Sequence, residues 1–240
     1  MPIRHLIALL TALFAFPAAA LETVTFPSGD GRQDTADVYQ PETAPRAALL
    51  LFHMAGSSRG EYRDIAPRLA GLGYVAVAVD LRSGGSFAGV ANQTATGPDP
   101  GYEAAIPDIK AALGWARANL EVERIGVVGS SYSASLVLVL AGRDPDFADA
   151  VMAFSPGEYF SDRRYVRTAA AGVTVPVFIT SAKGETGNWK PIIDAIPGPG
   201  KVGFKPPVAG RHGARALVAD TSGAYWNALD AFLARYLPAR

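Results

Sequence analysis

Two patterns of apolar and polar positions alternate along the chain. Short continuous apolar runs, such as residues 47–52 and 74–81, are typical of strands that are buried on both faces. Between these runs, apolar residues recur at spacings of three and four, which indicates one apolar face of a helix. Strands that alternate with helices predict right-handed crossovers and an α/β fold, in which helices cover both faces of a mostly parallel sheet.

The same pattern predicts about eight strands. Residues 22–26 and 35–40 flank the turn-rich residues 28–31 and are expected to form an antiparallel N-terminal hairpin. The other predicted strands span residues 47–52, 74–81, 124–129, 149–154, 175–180 and 201–208. The predicted helices span residues 62–72, 106–120, 133–141 and 190–196, and a last helix begins near Ser222.

The first twenty residues have the pattern of a secretory signal peptide. Arg4 and His5 precede an apolar run over residues 6–16, and Pro17-Ala18-Ala19-Ala20 follows it. The run is shorter than the roughly 20 residues that span a bilayer as a helix, so cleavage is expected rather than anchoring. We therefore predict a signal peptide at 1–20 and a single domain at 21–240, secreted or periplasmic, with no membrane contact after cleavage. The alternative is an uncleaved interfacial anchor.

Charge and composition exclude several classes of function. The 22 Lys and Arg residues balance the 22 Asp and Glu residues, which gives no electrostatic reason to expect a nucleic-acid partner. Outside the N-terminal segment the only histidines are His53 and His212, and the chain has no cysteine and no H-E-x-x-H motif. Few zinc ligands are therefore present, and no metal or other cofactor is expected. The oligomeric state is not fixed by these features.

A candidate nucleophile stands where a predicted strand turns sharply into a helix. The segment Gly129-Ser130-Ser131-Tyr132-Ser133 separates the strand over 124–129 from an apolar helix. A serine at the apex of such a turn is held in a strained conformation, with its hydroxyl above the sheet, and the residues two before and two after it must be small. Gly129 meets this demand and Ser133 meets it approximately. Ser131 is the predicted nucleophile, and the alternative is an ordinary helix N-terminus capped by a serine.

Serine needs a base to take its proton, usually a histidine that a carboxylate holds in place. The chain order nucleophile, acid, histidine selects His212, which is the only histidine after Ser131. Glu185 follows the predicted strand over 175–180 and is the predicted acid. The alternative acids are Glu158, which follows the preceding strand, and the weaker candidates Asp162 and Asp194.

The negative charge that forms during acyl transfer needs two backbone N–H donors. One is expected from Tyr132, the residue after the nucleophile, and the other from Ala55 in the turn that follows His53. Side chains near these turns are expected to line a substrate pocket. The predicted pocket residues are Met54, Tyr102, Tyr159 and Trp189.

With these residues in place, the chain resembles the α/β-hydrolase superfamily along nearly its full length, and within it the dienelactone-hydrolase-like serine hydrolases. The resemblance rests on the strand and turn over 49–57, on the helix-to-strand passage over 69–86 with its Asp-x-Arg loop, on the serine turn, and on Gly210-Arg211-His212-Gly213. The chain departs from the family at Ser133, where glycine is usual, at Glu185, where aspartate is usual, and in carrying a nucleophilic serine where dienelactone hydrolases carry cysteine.

The resemblance implies an α/β-hydrolase fold and hydrolysis of an ester or related acyl bond through an acyl-serine intermediate, without a cofactor. The segment between Ser155 and Val175, where larger relatives insert a lid, is short, so no large lid domain is expected and a small or short-chain ester is the expected substrate. Two other functions stay open at this point. The fold could serve as a catalytically inactive binding module, or the same triad could catalyse acyl transfer or amide cleavage.

Overall fold

The computed structural model describes residues 21–98 and 100–239, so the predicted signal peptide at 1–20 lies outside the described residues. The strands are β1 Leu21–Pro27, β2 Gln33–Tyr39, β3 Ala47–Phe52, β4 Val75–Val79, β5 Ser86–Phe87, β6 Val90–Ala91, β7 Arg124–Ser130, β8 Ala150–Phe154, β9 Val177–Thr180 and β10 Lys201–Phe204. The α-helices are α1 Ala66–Gly71, α2 Ile106–Asn119, α3 Tyr132–Arg143, α4 Tyr165–Ala170, α5 Thr186–Ala195 and α6 Gly223–Tyr236.

Eight of these strands form one mostly parallel sheet, as the sequence predicts. Their order is β1-β2-β4-β3-β7-β8-β9-β10. The strand β2 pairs antiparallel with β1 and with β4, and every other pair in this sheet is parallel. The antiparallel N-terminal hairpin is therefore confirmed, and β5 and β6 form a small separate ribbon in the loop after β4.

Both faces of the sheet are buried, which explains the continuous apolar runs of its central strands. Along β3, Leu50 and Phe52 point into a core that α2, α3, α4 and α5 cover, whereas Leu49 and Leu51 point into a second core under α1 and α6. Successive side chains of a strand point to opposite faces, so both sets must be apolar. In the described part of the chain, no helix is long and apolar enough to cross a membrane.

Several element boundaries differ from the prediction, and the local sequence explains two of the differences. The strand β10 ends at Phe204 rather than at Val208, because Pro206 and Pro207 have no N–H to donate to a neighbouring strand. The helix α5 begins at Thr186 rather than at Lys190. Its first turn is mostly polar, so the apolar pattern does not reveal it. Between β8 and β9 the chain forms the short helix α4 and loops, as expected for a protein with no large lid domain.

A buried carboxylate near the turn of the hairpin lowers the folding stability in a pH-dependent way. Asp34 in β2 is completely buried, and neither of its carboxylate oxygens has a hydrogen-bond partner among the described residues. Burial and the nearby charge of Asp108 raise the pKa of Asp34 from its ordinary value of 3.8 to about 7. Ionisation of Asp34 is therefore disfavoured in the folded state, so stability falls as the pH rises from about 4 through 7.

We expect Asp34→Asn to stabilise the protein by roughly 2 kcal/mol more at pH 8 than at pH 5, because the amide cannot ionise. Urea unfolding at the two pH values measures this difference. The exposed Asp220 provides the control, and Asp220→Asn should have the same small effect at both. An Asp34→Asn effect that does not depend on pH would contradict the prediction.

Candidate active site

The turn between β7 and α3 holds Ser131 in a conformation that L-residues rarely adopt. Its φ is 62° and its ψ is −120°, a strained combination for a residue with a Cβ atom. The Ser131 N–H donates to the carbonyl of Phe154 at 2.8 Å, which ties the turn to β8. A Cβ atom at Gly129 would lie 2.4 Å from the Cα of Ala134, so only glycine fits there. This is the sharp strand-turn-helix arrangement that the sequence predicts.

Ser133 occupies the position where the resembled family usually has glycine. Its hydroxyl accepts the N–H of Ser130 at 2.9 Å and donates to the carbonyl of Phe52 at 2.7 Å. The extra atoms are therefore accommodated by hydrogen bonds that join the turn to the end of β3. This substitution leaves the sharp turn intact.

His212 and Glu185 come together although they are far apart in the sequence. His212 lies in the loop after β10, and its Nδ1 is 2.7 Å from Oε1 of Glu185. Glu185 ends the short 3₁₀ turn Lys183–Glu185 that follows β9. Both residues are reached from the carboxyl ends of neighbouring strands, which explains why they meet.

The alternative acids have other partners. The carboxylate of Glu158 accepts the N–H groups of Val166 and Arg167 at 2.9 and 2.8 Å, in the first turn of α4. Asp162 accepts the N–H of Arg164, and Asp194 pairs with Lys190. The geometry therefore brings Glu185, and none of these three, against the ring of His212.

Hydrogen bonding and charge set the protonation of this pair. The hydrogen bond to Glu185 raises the pKa of His212, partial burial opposes the rise, and the charges of Glu185 and Glu61 add to it. Burial raises the pKa of Glu185, but the hydrogen bonds from His212 and Ser155 outweigh it and hold that pKa below its ordinary value. An ionised Glu185 keeps a proton on Nδ1 of His212, so Nε2 of the neutral ring can accept one.

Ser155 supports this pair and has no motif that would reveal it. It lies directly after β8 with a φ of 55°. Its hydroxyl donates to Oε2 of Glu185 at 2.6 Å and accepts the N–H of Gly213 at 2.9 Å, so it holds the acid and the histidine loop together. The only sequence signal is its position at the carboxyl end of a strand next to the serine turn.

His53, the other histidine of the described residues, has a structural role. It is completely buried, and this burial lowers its pKa. Its Nδ1 lies 2.7 Å from the carbonyl oxygen of Met54, and its Nε2 lies 2.8 Å from the backbone N of Leu81. Because a carbonyl can only accept and an N–H can only donate, the ring is neutral with its proton on Nδ1. His53 thereby fixes the turn that follows β3.

That turn presents one backbone donor toward solvent. The N–H of Met54 donates to Oε2 of Glu61 at 2.7 Å, and the N–H of Gly56 donates to the carbonyl of Ser83 at 3.2 Å. Ala55 lies between them and is exposed, and within residues 21–98 and 100–239 its N–H has no acceptor. The N–H of Ala55 is thus open to an acceptor from outside, and its role as an oxyanion donor stays a prediction.

Comparisons with known proteins identify the family of this chain. The family model described as the dienelactone hydrolase family matches residues 35–186, which is more than half of the chain. The chain belongs to the dienelactone hydrolase family. A curated relative is the non-reducing polyketide synthase ausA of Aspergillus calidoustus, which is 29% identical over 168 residues. That match covers 59% of this chain and 6% of the synthase, so the chain spans a small part of that protein's length.

Solved structures share the fold of this dienelactone hydrolase family member. The esterase Pf2001 of Pyrococcus furiosus has a TM-score of 0.75 at 17% identity, covering 91% of this chain and 93% of its own. The dienelactone hydrolase of Anabaena variabilis has a TM-score of 0.70 at 16% identity, covering 93% and 100%. The acetyl xylan esterase of Paenibacillus sp. R4 has a TM-score of 0.70 at 17% identity, covering 95% and 87%. At these identities the likeness shows the α/β-hydrolase fold.

The predicted pocket residues Tyr159, Tyr102 and Met54 of this family member lie in or beside the turns that carry the candidate site. The Tyr159 hydroxyl donates to the carbonyl of Ser155 at 2.8 Å, and its side chain interacts with that of Ser131. Tyr102 stacks on Tyr132 with ring centroids 4.6 Å apart. Met54, in the turn after β3, is half-buried. A cavity of about 370 Å³ next to Tyr159 is lined by Gly157, Glu158, Tyr159, Arg163 and Asn188.

Trp189 does not join these residues. It is 4% exposed, its Nε1 donates to Oγ of Ser181 at 2.7 Å, and its ring packs so closely on Gly203 that a Cβ atom there would lie 3.1 Å from it. The early start of α5 places Trp189 on the helix face that packs on β9 and β10. Its large apolar area is therefore part of the core.

Removal of the Glu185 charge should lower the pKa of His212, since the carboxylate stabilises the charged ring. We expect Glu185→Gln to shift the titration of the His212 ring protons, followed by NMR on the full chain, downward by about one pH unit or more. Glu158→Gln is the matched control, because Glu158 contacts α4 instead, and it should leave the titration unchanged. A larger shift in the Glu158 variant would overturn the pairing.

Proposed function

We propose that this protein is an exported serine hydrolase that cleaves small or short-chain carboxylic esters through an acyl-enzyme intermediate. In this proposal Ser131 is the nucleophile, His212 is the base and Glu185 is the orienting acid. The observation that carries it is the combination of a strained serine at the sharp turn with a histidine and a glutamate joined at 2.7 Å. Export rests on the signal-peptide pattern at 1–20.

The chemistry follows from the protonation of these groups. As Oγ of Ser131 attacks the ester carbonyl carbon, Nε2 of His212 takes the hydroxyl proton. The ionised Glu185 stabilises the imidazolium that forms. The carbonyl oxygen becomes an oxyanion, which accepts the N–H groups of Ala55 and Tyr132.

Three further proton transfers complete the cycle. Collapse of the tetrahedral intermediate breaks the ester bond, and the leaving alcohol takes the proton from His212. A water molecule then loses a proton to His212 and attacks the acyl-serine carbon. The second collapse releases the carboxylic acid and returns the proton to Oγ of Ser131.

The proposed substrate size follows from what covers the site. Between β8 and β9, where a lid could cover the site, the chain contributes only α4 and loops, which supports a small or short-chain substrate. Some structural neighbours are named esterases, one of them an acetyl xylan esterase, which supports the ester class. A serine in place of the cysteine of dienelactone hydrolases argues for esters other than dienelactones.

A fluorophosphonate probe tests the nucleophile directly. We expect it to label the full chain at Ser131, and we expect Ser131→Ala to abolish labelling and to lower kcat on short p-nitrophenyl esters at least ~1000-fold. The matched control is Ser222→Ala, which removes a half-buried serine next to α6 and should change neither readout.

The outcomes separate this proposal from its alternatives. Labelling that persists in Ser131→Ala would exclude the mechanism. A folded wild-type protein that neither reacts with the probe nor hydrolyses any ester would point to a binding module. Ester products formed with an added alcohol acceptor would identify acyl transfer on the same triad.

A further inference from the structure

A second carboxylate, that of Glu61, is built into the same edge of the sheet. Glu61 lies in the 3₁₀ turn Arg59–Tyr62 and is completely buried. Its Oε2 accepts the N–H of Met54 at 2.7 Å, and its Oε1 accepts the hydroxyl of Ser130 at 2.6 Å. One side chain thus joins the turn that carries Ala55 to the residue that precedes Ser131.

Ser130 extends this link to the histidine loop. Its Oγ accepts the N–H of Ala214, the second residue after His212, at 2.9 Å. The approach is close, because a Cβ atom at Gly213 would lie 2.2 Å from Oγ of Ser130. A chain of three hydrogen bonds therefore runs from the donor turn through Glu61 and the serine turn to the loop of His212.

The hydrogen bonds around Glu61 repeat the pattern around Glu185, the proposed acid. In both places a serine hydroxyl accepts a backbone N–H of the histidine loop and donates to a glutamate. Ser155 does so for Gly213 and Glu185, and Ser130 does so for Ala214 and Glu61. Two consecutive N–H groups after His212 are thus held by two serine–carboxylate pairs.

The carboxylate of Glu61 lies close to the histidine loop, since a Cβ atom at Gly213 would be 3.6 Å from its Oε1, and it interacts electrostatically with His212. The charged and titratable groups around it are His212 and Arg215 on the histidine loop and Tyr62 on its own turn. Burial is the largest effect and holds the pKa of Glu61 above its ordinary value, while the bonds from Ser130 and Met54 and the charges of Arg215 and His212 reduce the rise. Both hydrogen bonds are donated to the carboxylate, which favours its ionised form.

We propose that Glu61 is a positioning residue of the active site. It holds the donor turn, the serine turn and the histidine loop in one arrangement, and its carboxylate stabilises the imidazolium that forms on His212. The inference rests on the proposed function, because a base and a nucleophile must exist for Glu61 to position them. It assigns to a residue outside the triad an effect on turnover rather than on substrate binding.

The isosteric variant Glu61→Gln tests both parts of this proposal. The amide nitrogen cannot accept, so one of the two hydrogen bonds is lost together with the charge. We expect kcat on a short p-nitrophenyl ester to fall ~10- to 100-fold while KM changes less than about threefold. Without the negative charge the pKa of His212 falls, so the acidic limb of the kcat/KM profile moves to lower pH. NMR titration of His212 should show the same direction.

Two further variants keep the test decisive. Ser130→Ala breaks the link between Glu61 and Ala214 and should also lower kcat at nearly constant KM, and it replaces the glutamine variant if that variant does not fold. Asp230→Asn is the matched control. Asp230 is a partly buried carboxylate beside Tyr74 at the amino edge of the sheet. Loss of its charge should leave kcat and the pH profile unchanged.

The results distinguish this inference from the proposed function. A folded Glu61→Gln variant with wild-type kcat and an unshifted His212 titration would overturn the positioning role. If that variant does not fold, wild-type kcat and KM in Ser130→Ala would overturn it. A wild-type protein without any ester hydrolysis would remove the proposed function instead, and an unshifted His212 titration in Glu61→Gln would then also refute the electrostatic part.

Discussion

The positive φ of Ser131 is the constraint on which the rest of the site depends. A residue with a Cβ atom in this region costs about 1–3 kcal/mol, so neighbouring contacts must compensate for it. They are the hydrogen bond from Ser131 to Phe154, the close packing of Gly129 on α3, and the bonds of the Ser133 hydroxyl. These contacts place the turn at the carboxyl edge of the sheet, where the loops after the neighbouring strands can reach it.

Parallel strands explain why residues so far apart in sequence meet there. The turn after β3 supplies the Ala55 donor, β7 ends at the serine turn, β8 ends next to Ser155, and the loops after β9 and β10 supply Glu185 and His212. All five strands are adjacent and run in the same direction, so their carboxyl ends lie along one edge. The antiparallel hairpin of β1 and β2 extends the opposite side of the sheet and contributes no residue to this constellation.

The sequence predicts what depends on local pattern and chain order. Buried strands appear as continuous apolar runs, and the serine turn has small residues at fixed spacing. The order of nucleophile, acid and histidine along the chain selects His212 and a short list of candidate acids.

The sequence does not reveal contacts that only the fold creates. Ser155 and Glu61 belong to no motif, because their roles come from neighbours distant in sequence. The sequence places Trp189 in the pocket, but the first turn of α5, which the apolar pattern does not reveal, places it in the core. The choice between Glu185 and Glu158 likewise depends on a contact that only the fold creates, because the N–H groups in the first turn of α4 donate to the carboxylate of Glu158.

The two serine hydroxyls solve an electrostatic problem at the histidine loop. Backbone N–H groups could be held directly by carboxylates, but that would bring two negative charges close together and destabilise both ionised forms. A hydroxyl that accepts from the backbone and donates to a carboxylate transmits the constraint while keeping the charges apart. Glu185 can then contact the ring of His212, and Glu61 can act on it through space, with Arg215 offsetting part of the buried charge. The loop is thereby fixed by neutral groups, while the basicity of its histidine is set by charged ones.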